Sequence, residues 1–367
     1  MFDMSYLNAC MALFLVIYII FIWKFNHFLY VKKNIDFVKK MSVSIIVCAR
    51  NEEKNIKNLI EALLCQDYDS AYIEIVIADD QSSDQTGQII KEYCEKHSCI
   101  KYFKVSDREN SHSPKKNALK QAINLAKGDI LLLTDADCIP SKNWINSHIC
   151  TYSENPDTDM VVGFSKTKTN KNHVYQIFEH MDFFILMIAA QGAIQSGRPF
   201  SASGQNLSYK KSTYIQLNGF ENLESFISGD DLLLMQKFVK NKKKVKFAAF
   251  SNAYTDTQPI NSWKELFNQR ARWASNLKVM PKMNFMFFCY LLTCFICMGI
   301  IPFVSIYLYL IKIFSDLIYI LNAQKLYKFD DFNCFSLLLW FIINPFYILI
   351  VSFMGVFSIF KWRDRMG

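Results

Sequence analysis

Three stretches of this chain contain no charged residue: residues 7–23, 285–311 and 333–360. Each is long enough, or nearly so, to cross a hydrocarbon core as an α-helix, which takes about 20 apolar residues. Between the first and the second, the composition is that of a mixed globular domain. The expected organisation is an N-terminal transmembrane anchor and basic linker over 1–40, a globular domain over 41–280 and a C-terminal transmembrane hairpin over 281–367.

The flanking charges orient these spans. Residues 7–23 lack the basic leader and small-residue cleavage site of a signal peptide. Lys24, Lys32, Lys33, Lys39 and Lys40 follow instead, and the bias of lysines toward the cytoplasmic side puts the globular domain inside. The second C-terminal span, about 335–360, ends at Lys361, Arg363 and Arg365, which returns the C-terminus to the same side. The connector 312–334 balances Lys312, Lys325 and Lys328 against Asp316, Asp330 and Asp331, as suits the outer side. Three spans are expected. A fourth short span or interfacial helix at 313–321 is the alternative, and Pro302 predicts a kink. The expected localisation is a multi-pass integral membrane protein, of bacterial inner-membrane type, with a cytoplasmic globular domain.

The remaining composition excludes several classes. A net charge of +8 is modest for 367 residues, and no nucleic-acid motif is present. The densest basic run is Lys240, Lys242, Lys243, Lys244 and Lys246, read either as a contact to anionic headgroups or as a solvated turn. Eleven cysteines form no spaced framework, and a cytoplasmic domain keeps them reduced.

Within the globular part, short apolar runs alternate with helical periodicity. Ser42 to Cys48, Ile73 to Ala78, Ile100 to Val105 and Leu131 to Thr134 read as buried strands. Between them, Ile56, Leu59, Ile60, Leu63 and Leu64, then Ile89, Ile90, Tyr93 and Cys94, then Ala118, Leu119, Ala122 and Ile123 have helical spacing. This alternation implies βαβ units and a mostly parallel sheet flanked by helices. Residues 160–165 read as a further strand. Residues 174–190 form an apolar helix, interrupted by Glu179 and Asp182, that is either an interfacial or a buried core helix.

The strands end in polar residues: Arg50-Asn51-Glu52, Asp79-Asp80 and Asp135-Ala136-Asp137. In a parallel sheet, ligands bind beyond the carboxyl ends of the strands, so these groups would line one crevice. Two carboxylates held as close as Asp135 and Asp137 repel unless a cation joins them, and a hard divalent ion with phosphate oxygens suits them. There is no Gly-x-Gly-x-x-Gly after the first strand and no Walker A sequence, so phosphate would be held by metal and lysine. Further on, residues 201–206 form a small-residue loop. Gly229-Asp230-Asp231 precedes a helix, where the dipole favours ionised carboxylates. Gln269, Arg272 and Trp273 share one helix face just before the membrane.

In this order, Ala49-Arg50-Asn51-Glu52, Asp79-Asp80 with Ser82 and Asp84, Lys115 before Ala118-Leu119, Asp135-Ala136-Asp137, Gly229-Asp230-Asp231 and Gln269-x-x-Arg272-Trp273 resemble the family 2 glycosyltransferases. These are inverting enzymes of the GT-A fold, and the similarity, over residues 41–275, is to their membrane-anchored branch. The resemblance implies an α/β GT-A sheet with N- and C-terminal transmembrane helices. It implies transfer of a sugar from a nucleotide-diphosphate sugar, with uridine the expected base, to a lipid-linked or glycan acceptor, assisted by Mg2+ or Mn2+. By position, Asp79 matches the carboxylate that binds the base, Asp80 its neighbour, and Lys115 the basic residue near the nucleotide. Arg50 and Glu52 belong to the same substrate-binding set. Asp135 and Asp137 match the D-x-D pair, with Asp137 favoured as metal ligand. Asp231 matches the general base, with Asp230 as the alternative. Gln269, Arg272 and Trp273 match the motif near the acceptor and the leaving diphosphate.

Two departures qualify the match. The base motif is Gly-Asp-Asp where Glu-Asp is usual, and Gln81 stands where glycine is frequent. The few C-terminal spans favour single addition over processive extrusion. The competing readings are a non-catalytic partner subunit of a glycan assembly system and a metal-dependent nucleotidyltransferase. The intact carboxylate set argues against the first. Nothing in the second accounts for the residues at 230–231 and 269–273.

Overall fold

The computed structural model describes residues 4–35, 39–106, 113–168, 173–226, 228–329, 333–362 and 365–366. Contacts within the chain divide it into two units: residues 31–168 with 201–258, and residues 1–30 with 169–200 and 259–367.

The first unit is built on one sheet. Its strands are β1 (Val43–Ala49), β2 (Ile73–Asp79), β3 (Ile100–Lys104), β4 (Ile130–Asp135), β5 (Cys138–Pro140), β6 (Thr158–Thr167), β7 (Leu207–Lys210), β8 (Lys244–Ala248) and β9 (Tyr254–Thr257). The spatial order is β3-β2-β1-β4-β7-β6-β9-β5, with β8 also paired to β6. β3, β2, β1 and β4 are mutually parallel, as the strand–helix alternation predicts. β7 then enters antiparallel to both β4 and β6. The start of β6 pairs with β8 and its end with β9, both in parallel.

The core follows from the sequence pattern. Ile45, Ile46 and Val47 are fully buried, because helices cover both faces of a parallel sheet. On one face Val43, Ile45, Val47, Ile75 and Ile77 meet Ile56, Leu59, Ile60 and Leu63 of the helix Ile56–Leu64. Each such side chain contributes about 1.5–3 kcal/mol on burial. Register then decides where the polar ends fall. Ala49 lies opposite Asp79 and Cys48 opposite Asp135, so the residues following β1, β2 and β4 emerge on one edge.

The second unit is helical: Met4–Phe28, Val174–Gln195, Trp263–Ala274, Phe285–Phe295, Ile306–Tyr327 and Cys334–Val356 are its long elements. Five helices are long and apolar enough to cross a membrane: Ser5–Phe28, Val174–Gln195, Phe285–Val304, Ile306–Tyr327 and Cys334–Val356. Several carry large exposed apolar side chains, among them Leu13, Ile20, Phe314, Ile342 and Phe353. The one charged pair inside Ile306–Tyr327 is internal: Lys312 Nζ lies 2.7 Å from Asp316, and Tyr18 donates to the same carboxylate.

Two expectations about spans change. The stretch 285–311 is not one helix. A π-helical turn, Ile296–Ile300, precedes Pro302, and the backbone leaves helical geometry at Ser305, whose hydroxyl caps the next helix. Proline lacks the amide needed to continue the ladder, and the π turn absorbs the mismatch. The alternative at 313–321 becomes the full helix Ile306–Tyr327. The apolar helix Val174–Gln195 meets the length and composition for crossing, yet it is mostly buried. It leaves from β6 and returns to β7, and those strands pair with each other.

Candidate active site

At the carboxyl edge of the sheet, two loops are bound to each other by hydrogen bonds. Asn51, at φ +53°, donates its amide to Ser82 Oγ, and its side-chain oxygen accepts from the Ser83 amide. The Glu52 amide donates to Thr86 Oγ1, and Glu52 Oε2 accepts from Asn55. Asp84 caps the following turn through the Thr86 amide. Arg50 and Asp80 face each other at 3.9 Å, both largely buried. The polar runs after β1 and β2 thus form one surface.

Asp79 lies at the floor of that surface, 2% exposed. Its Oδ1 accepts from the Ser82 amide at 2.8 Å and its Oδ2 from the Tyr102 hydroxyl at 3.0 Å. The helix Thr86–Lys96 passes so close that a Cβ at Gly87 would fall 2.8 Å from Asp79 Oδ2, so only glycine fits there. The contact to Asp79 raises the Tyr102 hydroxyl to about 12, after burial.

Asp135 closes β4 and Asp137 follows one residue later. Their carboxylates and the Cys138 thiol bring one ligand atom each within 4.8 Å of one another. Burial, then Asp135, then Glu52 push the Asp137 carboxyl up to about 6. Oxygen donors crowded in this way match a hard divalent cation. Cys138 adds little as a donor: burial and the two aspartates raise its thiol well above the ordinary range, so the sulfur stays protonated.

Lys115, in the first turn of the helix Pro114–Leu125, joins this pair to the second acidic pair. Its Nζ lies 2.8 Å from Asp135 Oδ1 and 2.9 Å from Asp230 Oδ2. Burial alone would lower its pKa, but the two carboxylates outweigh it and raise the ammonium well above its usual value. Asp230 therefore shares one cation with Asp135.

Asp231 is held differently. It caps the helix Leu232–Lys240, with Oδ1 accepting from the Leu232 amide at 2.6 Å. Its Oδ2 accepts from the Gly204 amide at 2.8 Å, in the small-residue loop. Burial, then Asp230, raise its carboxyl above the ordinary range, while Lys115 and the two amides pull it back. Gly229, at φ +82°, supplies the left-handed turn that presents the pair.

Three features escaped sequence reasoning. Lys116 is 1% exposed and donates to the carbonyls of Phe226 and Ser228. Behind the small-residue loop, Asn206 Oδ1 accepts from Trp144 Nε1 at 2.9 Å and meets His148 Nε2 at 2.7 Å. Burial lowers His148 to about 4, so the ring is neutral, with Nε2–H directed at Asn206 and Nδ1 accepting from Ser208. The third lies in the helical unit, on the helix Trp263–Ala274 that carries Gln269, Arg272 and Trp273. There the buried arginine is Arg270, paired with Asp182 at 2.9 Å. It donates to Gln269 Oε1 and stacks 4.2 Å from the Trp273 ring. The sheet unit thus brings together Arg50, Glu52, Asp79, Asp80, Lys115, Asp135, Asp137, Asp230 and Asp231. The remaining three expected residues belong to the other unit.

Residues 44–216 match the model of glycosyl transferase family 2. This stretch is a family 2 glycosyl transferase domain. A probable glycosyltransferase of Bacillus subtilis, YdaM, is 25% identical over 256 residues, covering 68% of this chain and 60% of that protein. A Methanococcus voltae protein is 33% identical over 112 residues, covering 30% of this chain and 33% of its own length. Its name is dolichyl N-acetyl-alpha-D-glucosaminyl phosphate 3-beta-D-2,3-diacetamido-2,3-dideoxy-beta-D-glucuronosyltransferase. The chain thus spans less than two thirds of either relative. Among solved structures, a mannosyltransferase from Pyrobaculum calidifontis, in complex with GDP-Man and Mn2+, superposes with a TM-score of 0.62. It is 15% identical and covers 99% of both chains, which establishes a shared fold for the family 2 domain and its flanking helices.

Proposed function

We propose that this family 2 protein is an inverting glycosyltransferase that moves a sugar from a nucleotide-diphosphate sugar to a lipid-linked or glycan acceptor at a membrane. One observation carries the reading. Lys115 joins Asp135 of the D-x-D pair to Asp230 of a second acidic pair, whose other member, Asp231, has a raised pKa. A general base works best when its pKa rises toward the operating pH, and burial and Asp230 shift Asp231 in that direction. Asp230, paired with Lys115, is better suited to hold geometry than to take a proton.

Asp137 and Asp135 would hold Mg2+ or Mn2+, and the ion when bound would neutralise charge developing on the leaving diphosphate. Asp137 is the main ligand, because Asp135 is already engaged by Lys115. Arg50, Glu52, Asp79 and Asp80 form the nucleotide side. Asp79 has both oxygens engaged by protein donors, so it meets a base through its remaining lone pairs. Gln269, Arg272 and Trp273 act on the acceptor and the diphosphate, with Gln269 and Trp273 in contact with Arg270. Asp231 takes the acceptor hydroxyl proton as the oxygen attacks the anomeric carbon, and a single displacement inverts that centre.

The protein is proposed to be multi-pass with its catalytic domain cytoplasmic, supported by Lys24, Lys32, Lys33, Lys39 and Lys40 after the first helix. The Methanococcus relative's name supports a lipid-linked acceptor.

The test is purification in lipid and a screen of UDP-glucose, UDP-N-acetylglucosamine and GDP-mannose with a membrane-lipid extract, with and without Mn2+. Metal-dependent transfer to the extract is expected. Donor binding without turnover would indicate a non-catalytic partner subunit, and pyrophosphate release from a nucleoside triphosphate would indicate a nucleotidyltransferase.

A further inference from the structure

Lys115 and Lys116 are consecutive, yet their ammonium groups do different things. Lys115 reaches the carboxylates of Asp135 and Asp230. Lys116 turns away from solvent and donates to two main-chain carbonyls, Phe226 and Ser228, the latter at 2.8 Å. Those carbonyls lie immediately before Gly229, Asp230 and Asp231. We infer that Lys116 is a positioning residue for Asp231: its side chain clamps the backbone that aims the acidic pair. This rests on the reading of Asp231 as general base.

The argument is one of supply and demand for hydrogen bonds. Ser228, Gly229 and Asp230 belong to no strand, and Gly229 departs from right-handed backbone, so no ladder holds these residues. Downstream, the Asp231 carboxylate is fixed by the Leu232 and Gly204 amides. Upstream, Lys115 pairs with Asp230 and Lys116 donates to the Phe226 and Ser228 carbonyls. An ammonium with three donors can serve both carbonyls at once. Burial lowers Lys116 to about 8, so it is charged at neutral pH, and Asp230, Asp231 and Glu224 favour that charge while Lys115 opposes it. A lysine is normally exposed, and this one is among the largest fully buried side chains.

The experiment compares wild type, Lys116→Met and Lys116→Arg, each purified in lipid. Amide exchange is read first, since it needs no substrate. In Lys116→Met, protection of the Gly204 and Leu232 amides should fall roughly tenfold, and Lys116→Arg should retain most of it. Turnover is then measured with whichever of the three donors wild type uses, and manganese-dependent nucleotide binding alongside. For Lys116→Met, kcat should drop roughly tenfold or more, with nucleotide affinity within about threefold of wild type and partial rescue by Lys116→Arg. The acidic limb of its kcat–pH profile should move up, because a positive charge near Asp231 is gone. Unchanged exchange, or loosened exchange with unchanged kcat, overturns the inference. Loss of nucleotide binding and of global protection together would make Lys116 a general fold residue and also overturn it. If wild type transfers no sugar, the reading of Asp231 as base fails, while the exchange result still judges the clamp.

Discussion

Asp135 and Asp137 stand at the end of a strand; Asp230 and Asp231 stand at the start of a helix. Both pairs are two carboxylates within three residues, yet the protein surrounds them in opposite ways. Around Asp137 the neighbouring groups are negative or apolar: Asp135, Glu52 and a buried thiol. Around Asp231 they are donors, two backbone amides, while Lys115 touches the neighbour in both pairs, Asp135 and Asp230. A strand end projects side chains but offers few free amides, whereas a helix start has unpaired N–H groups to give. The first setting concentrates negative charge, as suits a hard cation. The second fixes the direction of a carboxylate, as proton acceptance requires.

The sharpest way to break this contrast is Asp231→Asn. The amide keeps the size but takes no proton, and its single oxygen can accept from only one of the Gly204 and Leu232 amides. Transfer should fall about 10²–10⁴-fold, the usual worth of a general base. Nucleotide binding should stay within about threefold. Titration with nucleotide and Mn2+, beside single-turnover transfer, checks it; lost binding would move Asp231 to the donor side.

Asp137→Ala attacks the other pair and should do the reverse. It is expected to weaken manganese-linked nucleotide binding roughly 100-fold, the upper range for disturbing a metal site. The pH dependence gives a gentler version. The Asp137 carboxyl is raised to about 6, and only its ionised form binds a cation. Apparent Mn2+ affinity should therefore be level above pH 7 and fall about tenfold per unit below pH 6 as protons compete. A calorimetric titration series from pH 5 to 8 measures this, and a flat profile would remove Asp137 from the ligand set.

How legible each pair was follows from its support. β1, β2 and β4 could be read because a parallel strand buried on both faces is a largely apolar run, and β3, at the sheet edge, because it sits between two helical patterns. Their register then brings Asp79 and Asp135 to one edge. β7, β8 and β9 could not. β9 is only Tyr-Thr-Asp-Thr, and β8 hid in the lysine run read as a headgroup contact or solvated turn. In β8, Lys244 and Lys246 point out while Val245 and Phe247 point in, an alternation masked by counting charge. Asp231 was legible as a helix cap, but its partner Gly204 lies 27 residues away. Lys116 and Arg270 were passed over for the same reason. Nothing local to a lysine or arginine shows that its counter-group, here the Ser228 carbonyl or Asp182, waits at depth on another element.

Two glycines allow the smallest and most discriminating test. Gly229 and Gly197 have φ of +82° and +81°, so alanine at either forces the same left-handed strain of about 1–2 kcal/mol. Gly197 ends the helix Val174–Gln195, its amide donating to Ile194, and a Cβ there would meet nothing within 4 Å. Gly229 immediately precedes the acidic pair. Both substitutions should lower thermal stability by similar amounts. Only Gly229→Ala should lower transfer, roughly fivefold, because a shift of a fraction of an ångström at a reacting group costs rate before it costs fold. If Gly197→Ala lowers transfer equally, stability alone explains the loss, and the fixed direction of Asp231 is not what distinguishes the second pair from the first.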